Sequence, residues 1–564
     1  MPSFTTFDPI FAQTPLPVAS LIALLFFGIV LLLLMILKFK WQAFIALLVA
    51  SIAVALGAVF VNGKAEPVAV TGASVENGNI VLTVPGHGRA VGSTVAVSGI
   101  EPGVYNGNRK VIGAPDANTL IFEGGAAGTP ALSKAGSLKN PYAISLTQIG
   151  GTVVNGMGSA LGFIATIIGV GAIFGALLEH SGGTQSLARS TLKLFGVKKA
   201  PWAMLLTGFI ISIPVFLDVA LVILAPLLYA LARDTKKPLL IFGLPLVAGM
   251  AVTHAFVPPT PGPVAVGYIL GVNLGWVIGF GILVGLPTAL ICGPWLCSKV
   301  AKLVDVPLPD HVVEAEVEDG QLPPVSLILG LIALPIGMIL ASTIVEQIVA
   351  GGLDPSLSNS ARKTALASAL TSSSPLIQII HFIGHPVIAL LGSTLLAIWF
   401  LGTKRGGTKD EILELCTKAL GPAGIIILIT GAGGVFKGVL ISTGIADALA
   451  DVFGNSGIPV VALAYVFATL VRIAQGSATV AMLTAAGLMA GFTEDLSQPV
   501  LALITVAIAA GATGFSHVND SGFWMISRYM GMTEKQTLKT WSVISIAISL
   551  VSFTFIMILS LFVK

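Results

Sequence analysis

Runs of about 20 apolar residues recur along most of this chain, each long enough to cross a hydrocarbon layer about 30 Å thick. Inside such a layer no water satisfies backbone N–H and C=O groups, so a crossing segment must be a helix that bonds its own backbone. Only 10% of the 564 residues are charged and 55% are hydrophobic, too little polar surface to solvate a soluble globule of this size. The sequence therefore predicts a polytopic membrane protein, all-α in its spanning part. The first run, Pro17 to Leu37, has no Lys or Arg before it and is followed by Lys38 and Lys40. That is the reverse of a cleavable leader and predicts a retained helix with the N-terminus outside. A net charge of +3 gives no support for a nucleic-acid partner. Cys292, Cys297 and Cys416 show neither zinc spacing nor an extracellular pairing pattern and are expected to pack.

After a second run, Trp41 to Val61, hydropathy collapses between Asn62 and Tyr142. Short alternating runs are separated there by Asn77-Gly78 and Asn106-Gly107, strong hairpin signals, so a small β-rich insertion is expected, placed outside. Apolar sequence resumes near Leu161 and reaches Leu178, ahead of a basic patch of Arg189, Lys193, Lys198 and Lys199 that marks the cytoplasm. Pro201 to Ala232 is interrupted by Ser212 and Pro214 and has basic residues on both flanks. It is read as a re-entrant hairpin with its tip around Ser212 to Asp218. Pro238 to Trp295 has room for two spans, the first broken by THAFVPPTPGP at Thr253 to Pro263, where four prolines cannot continue a helix. An acidic cytoplasmic linker, Asp305 to Asp319, leads to an out-and-back pair, Pro324 to Val349 and Pro375 to Leu401.

Gly162, Gly169, Gly171, Phe174, Leu178 and Gly182 recur as Gly424, Gly431, Gly433, Phe436, Leu440 and Gly444, all at one offset of 262 positions, as from 162 to 424. Six matches in register argue for an internal repeat. The first copy ends at a basic patch and the second starts from Lys404, Arg405, Lys409 and Lys418, so the copies are inverted. The second hairpin is then Pro459 to Ala490, with the acidic flanks Asp447, Asp451, Glu494 and Asp495, entering from outside. A final broken span from Pro499 contains GATGFSHVNDSGF at Gly511 to Phe523. The expected organisation is two N-terminal helices (1–61), the insertion (62–146), repeat one (147–297), a linker with its helix pair (298–420) and repeat two (421–564), giving ten crossings, two re-entrant hairpins and both termini outside.

Polar residues at mid-depth propose a pathway for something polar. An arginine there costs from about 2.5 to well over 10 kcal/mol unless it faces protein or a wet cavity. Arg472 is such a residue, able either to bind a substrate carboxylate bidentately or to lock the hairpin through an ion pair with Asp218 or Asp520. Gln475, Ser477 and Thr479 lie beside it, and Ser212, Thr253, Thr260, Asn519 and Ser521 are the polar candidates of the other three interrupted elements. Small-residue packing is the competing role for Ser477 and Thr479, and backbone satisfaction at the break for Thr253. Half-helix termini at four breaks attract anions without a buried lysine. Asp218, Asp520, His254 and His517 are candidates to carry a coupling proton. Glu179 and His180 are expected at a solvated edge, and Lys437 to snorkel. No metalloprotease, serine-hydrolase or Walker motif is present, so transport is expected to run on a gradient.

GALLEHSGG at Gly175 to Gly183, PPTPGPVAV at Pro258 to Val266, RIAQGSATVAMLTAAG at Arg472 to Gly487 and HVNDSGFWMISRYMGMTEKQTLKTW at His517 to Trp541 resemble the gluconate permease (GntP) family of gluconate:proton symporters. The resemblance covers nearly everything except the insertion. It implies uptake of sugar acids or related small hydroxy- or amino-carboxylates across a bacterial inner membrane, proton coupling with sodium as the alternative ion, no further cofactor, and a homodimer. Two departures are Thr260, where the family commonly has histidine, and the insertion itself. A D-serine-like amino-acid transporter, a membrane sensor using the β-rich segment and a metabolite channel are the other readings.

Overall fold

A computed structural model describes residues 18–62, 67–76, 78–87, 94–124, 130, 132–139, 142–306, 322–354, 359–446, 448, 458–493 and 496–563. Asn77, most of the acidic linker and the flanking Asp447, Asp451, Glu494 and Asp495 lie outside these residues. Among the described residues eight helices are long and apolar enough to cross a membrane, from Ala43–Asn62 to Glu534–Ser560. The predicted crossings that start at Pro17 and Pro499 appear as shorter apolar helices, Ser20–Ile36 and Gln498–Thr513. The chain divides into two compact units.

The first unit comprises residues 1–35, 45–156 and 435–455. Its two N-terminal helices, Val18–Leu37 and Ala43–Asn62, meet at Gly28 against Val54 and at Gly57 against Leu24. Eight strands follow: β1 (Val68–Val70), β2 (Gly72–Glu76), β3 (Asn79–Thr83), β4 (Thr94–Ser98), β5 (Gly107–Lys110), β6 (Gly113–Asp116), β7 (Thr119–Glu123) and β8 (Gly136–Lys139). They form two antiparallel four-stranded sheets, ordered β1-β8-β4-β5 and β2-β3-β7-β6. Alternation puts Ile80 opposite Phe122 and Leu82 opposite Leu120 in a dry core with Val95 and Tyr105. Asn106-Gly107 is not the two-residue turn its sequence suggests. Asn106 instead closes the longer β4–β5 connection, its side chain accepting from and donating to the backbone of Ile100 at 3.0 and 2.9 Å. Asn62 Nδ2 donates to the carbonyls of Tyr142 and Thr443 at 2.9 and 3.0 Å, tying the insertion's exit to the end of Lys409–Ser442.

The second unit holds most of both repeats. Each repeat starts with a long helix, Leu146–His180 or Lys409–Ser442, followed by a left-handed glycine at matching positions, Gly182 (φ 78°) and Gly444 (φ 74°). The first then has a helical pair, Ala200–Ile211 and Leu217–Thr235, a broken helix, Leu240–Phe256 and Pro261–Leu270, and a closing helix from Leu274. The second repeats this order with Val460–Gln475 and Ala478–Met489, then Gln498–Thr513 and Ser521–Tyr529, then Glu534–Ser560. In both, the first arm of the pair packs on the first half of the broken helix. Small residues permit this: a Cβ on Gly208 would overlap the Leu246 carbonyl, and one on Gly249 the Leu205 carbonyl.

Pro375 to Leu401 is not one continuous helix, and only Pro386–Arg405 is long and apolar enough to cross. Helix Pro375–Ile383 stops at Gly384, and Pro386, without an N–H, holds His385 extended (φ −59°, ψ 127°) before Pro386–Ala397 begins. Gly208→Ala should cost about 1–3 kcal/mol by overpacking. Gly279→Ala, at an exposed helical position with nothing within 4 Å, should be neutral or stabilising by up to about 1 kcal/mol. Thermal unfolding of the detergent-solubilised variants checks the difference in sign.

Candidate functional site

The tip of the second helical pair is set by Gly476, whose φ of 85° favours glycine and whose missing Cβ leaves room for the backbone of Asn519. Ser477 then caps Ala478–Met489, accepting from Val480 N–H at 3.5 Å. Arg472, 3% exposed, lies one turn before the tip. Its Nε donates to Gly514 O at 3.1 Å, its Nη1 to Gly476 O and its Nη2 to Asp520 Oδ2 at 2.5 Å. Asp520, 9% exposed, caps Ser521–Tyr529 by accepting Gly522 N–H at 3.0 Å, and its Oδ2 also accepts from Ser516 Oγ at 2.5 Å. Trp541 Nε1 donates to that same Ser516 Oγ at 2.8 Å, Ser542 Oγ donates to Ser516 O at 2.5 Å, and Ser516 N–H donates to Ser545 Oγ at 3.1 Å. One network therefore joins the tip, the second break and the closing helix. His517 Nε2 and Asn519 Nδ2 both donate to Ile473 O, at 3.0 and 3.1 Å.

Of the two ion-pair partners open to Arg472 in the sequence, the fold supplies Asp520. Asp218 is exposed, in the first turn of Leu217–Thr235. The first tip is built differently. Ile213 to Phe216 line a small cavity with Ile168, Gly171, Ala172 and Pro259 to Pro261, so this tip faces the first break. Thr260 turns its hydroxyl inward to donate to Val257 O at 2.6 Å. His254 stands edge-on to Phe216 with ring centres 6.1 Å apart. Ser477 and Thr479 are half-buried and Ser521 is exposed. Glu179 and Lys437 are half-buried, and His180 is exposed.

Buried polar atoms with no partner in the protein mark where the site is unfinished. They include Ser212 Oγ, Thr253 Oγ1, His254 Nδ1, Gln475 Oε1, Thr484 Oγ1 and Asn519 Oδ1. Five of these six residues are sequence candidates; Thr484, inside an apolar helix, had no flanking signal to single it out. The two broken helices meet each other and the second helical pair. Gln498–Thr513 packs against both halves of the first broken helix, and Ala478–Met489 packs against Pro261–Leu270. Gly262, at the start of one half-helix, lies against Met482, about one turn into the other. Two positive helix ends from opposite repeats thus come together.

Removing one partner of a buried pair strands the other charge, so Arg472→Ala and Asp520→Ala should each cost about 3–5 kcal/mol. The double variant should cost clearly less than their sum. Unfolding midpoints of the three variants in detergent check this.

A family model for GntP family permeases matches residues 140–562, so the first two helices as well as the strands lie outside the matched range. The chain is 37% identical over 399 residues to the low-affinity gluconate transporter of Escherichia coli K12, covering 70% of this chain and 85% of that protein. It is 35% identical over 416 residues to the gluconate permease of Bacillus subtilis 168, covering 72% and 88%. It is 30% identical over 400 residues to the Gnt-II system L-idonate transporter of E. coli K12, covering 71% and 86%. Among solved structures, the YdaH transporter of Alcanivorax borkumensis superposes with a TM-score of 0.51 at 15% identity, covering 84% of this chain and 94% of that one. MtrF of Neisseria gonorrhoeae gives 0.50 at 15% identity, covering 97% and 95%. These two likenesses concern the fold alone. With three quarters of its length matched and its relatives named as transporters and permeases, this multi-pass membrane protein belongs to the GntP permease family.

Proposed function

We propose that the protein imports gluconate, or a closely related sugar acid, together with protons across the bacterial inner membrane. The two helical pairs are re-entrant hairpins that enter from opposite sides, and the repeats are inverted about one midplane site. The strands of the insertion stand outside. The meeting of two half-helix N-termini carries this reading, together with unpaired buried polar atoms on the same helical pairs and breaks. The helix ends suit a carboxylate, and the side chains of Ser212, Thr253, Gln475, Thr484 and Asn519 suit a chain of hydroxyls. Relatives named for gluconate and for L-idonate, two sugar acids, favour that substrate class.

Arg472 then acts as the clamp that holds the outer tip in shape, and the substrate charge is met by backbone. Alternating access follows if each tip opens in turn while the two broken helices keep the site between them. Because an unpaired buried hydroxyl is a cost in the empty protein and a partner in the loaded one, its removal separates binding from folding. Ser212→Ala and Thr253→Val should leave thermal stability equal or higher. Each should weaken gluconate binding by about 1–3 kcal/mol, roughly five- to 150-fold. Counterflow of labelled gluconate in proteoliposomes, with L-idonate and D-serine as competitors, checks both the site and the substrate class. Counterflow supported by D-serine and by no sugar acid would move the protein to the amino-acid reading.

A further inference from the structure

Glu346 is the one acidic residue of the apolar helix Val325–Gly351, and it lies away from all four breaks. Its side chain is 18% exposed and its Oε1 is 3.3 Å from His381 Nδ1. Ser342 Oγ is 3.2 Å from the same nitrogen. The other carboxylate oxygen, Oε2, accepts from Asn273 Nδ2 at 2.5 Å. Asn273 stands in the joint between the half-helix Pro261–Leu270 and the closing helix Leu274–Leu290. Its Oδ1 caps the closing helix through Gly275 N–H at 2.8 Å and accepts Thr343 Oγ1, also at 2.8 Å. Its backbone N–H donates to Oε1 of Gln498 at 2.7 Å, and Gln498 Nε2 returns to Gly271 O at 3.0 Å. Gln498 is the first residue of the second broken helix. A single carboxylate is therefore connected to the far ends of both broken helices.

A carboxylate and an imidazole 3.3 Å apart can share a single proton. One proton taken from outer solution moves the pair from net −1 to net 0. If it settles on Oε2 of Glu346, that oxygen becomes a donor facing the Asn273 Nδ2 donor, and the hold on Asn273 weakens. The other titratable groups around Glu346 leave it this freedom. His385 follows His381 and sits edge-on to Phe163 at 6.2 Å. On helix Asn359–Ser372, Arg362 donates to Ala350 O at 3.3 Å. Leu274–Leu290 and Pro386–Ala397 carry no titratable side chain. Gly183–Phe195, with Arg189 and Lys193, meets the opposite end of the Glu346 helix, where Ser186 Oγ donates to Pro323 O at 2.6 Å.

We propose that Glu346 and His381 bind the coupling proton on the outer side and pass its arrival through Asn273 to both broken helices, a proposal that rests on the symport reading above. Among the residues the sequence offered for this role, Asp520 has its oxygens engaged by Arg472, Ser516 and Gly522, and the His517 ring is bonded to Ile473. Glu346→Gln keeps the shape and one acceptor but cannot lose or gain the charge.

The test uses the full chain in proteoliposomes, comparing gluconate accumulation driven by a pH gradient with gluconate counterflow at equal pH. Glu346→Gln should lose at least tenfold more of the first than of the second, and His381→Gln should shift the pH profile of accumulation. Equal loss of both activities in folded Glu346→Gln, or full gradient-driven accumulation, overturns the proposal. If that variant is not recovered folded, an unshifted profile in His381→Gln overturns it. Wild-type protein that performs counterflow but ignores the pH gradient overturns symport itself and this proposal with it, an outcome seen before any variant is made.

Discussion

The ion pair between Arg472 and Asp520 is the interaction on which the second half of the molecule depends. A guanidinium 3% exposed to solvent persists because its donors reach Asp520 and the carbonyls of Gly476 and Gly514. Each contact also fixes backbone. Gly476 O belongs to the tip, Gly514 O to the start of the second break, and Asp520 to the cap of the half-helix beyond it. Ser516 and Trp541 extend the same network to the closing helix. Without it, the turn at Gly476 and the irregular residues from Gly514 to Asp520 would expose polar backbone with no partner.

The first repeat shares the order of elements and not this chemistry. Its tip, Ser212 to Phe216, is held by close packing. A Cβ on Gly175 would overlap the carbonyl of Pro214, and Pro259 to Pro261 form the facing wall. Here the polar atoms of Ser212, Thr253 and His254 are left unpaired, and in the second repeat those of Gln475, Thr484 and Asn519 are, although the clamp engages Asp520 and Ser516. One tip is fixed by charge and the other by shape, and both keep unsatisfied polar atoms beside them.

Much of this was legible in the sequence because it follows from backbone chemistry. Prolines at Pro258 to Pro263 and the Gly511 to Phe523 segment announced both breaks, and Ser212 with Pro214 announced the first tip. Among the six matched residues, Gly182 and Gly444 both take the left-handed conformation. What the sequence left open needed three-dimensional neighbours. Arg472 had Asp218 and Asp520 as equal partners until the fold placed one at 2.5 Å and the other at the surface. Asn106-Gly107 read as a tight turn, yet its side chain found Ile100 and closed a longer loop. Gly384 and Pro386 were absorbed into an apolar window whose mean hydropathy hides a break. Glu346 was visible as a lone acid in a spanning helix, and only the approach of Asn273 and His381 gives it meaning.

A structure of the protein with gluconate bound in a lipid nanodisc tests the central claim most directly. The account predicts density for the substrate carboxylate at the N-termini of Pro261–Leu270 and Ala478–Met489, hydroxyls against Ser212, Thr253, Gln475 or Asn519, and the Arg472–Asp520 pair intact. Gluconate lying across the Arg472 guanidinium with Asp520 displaced would contradict it, and would make the arginine a ligand and not a clamp.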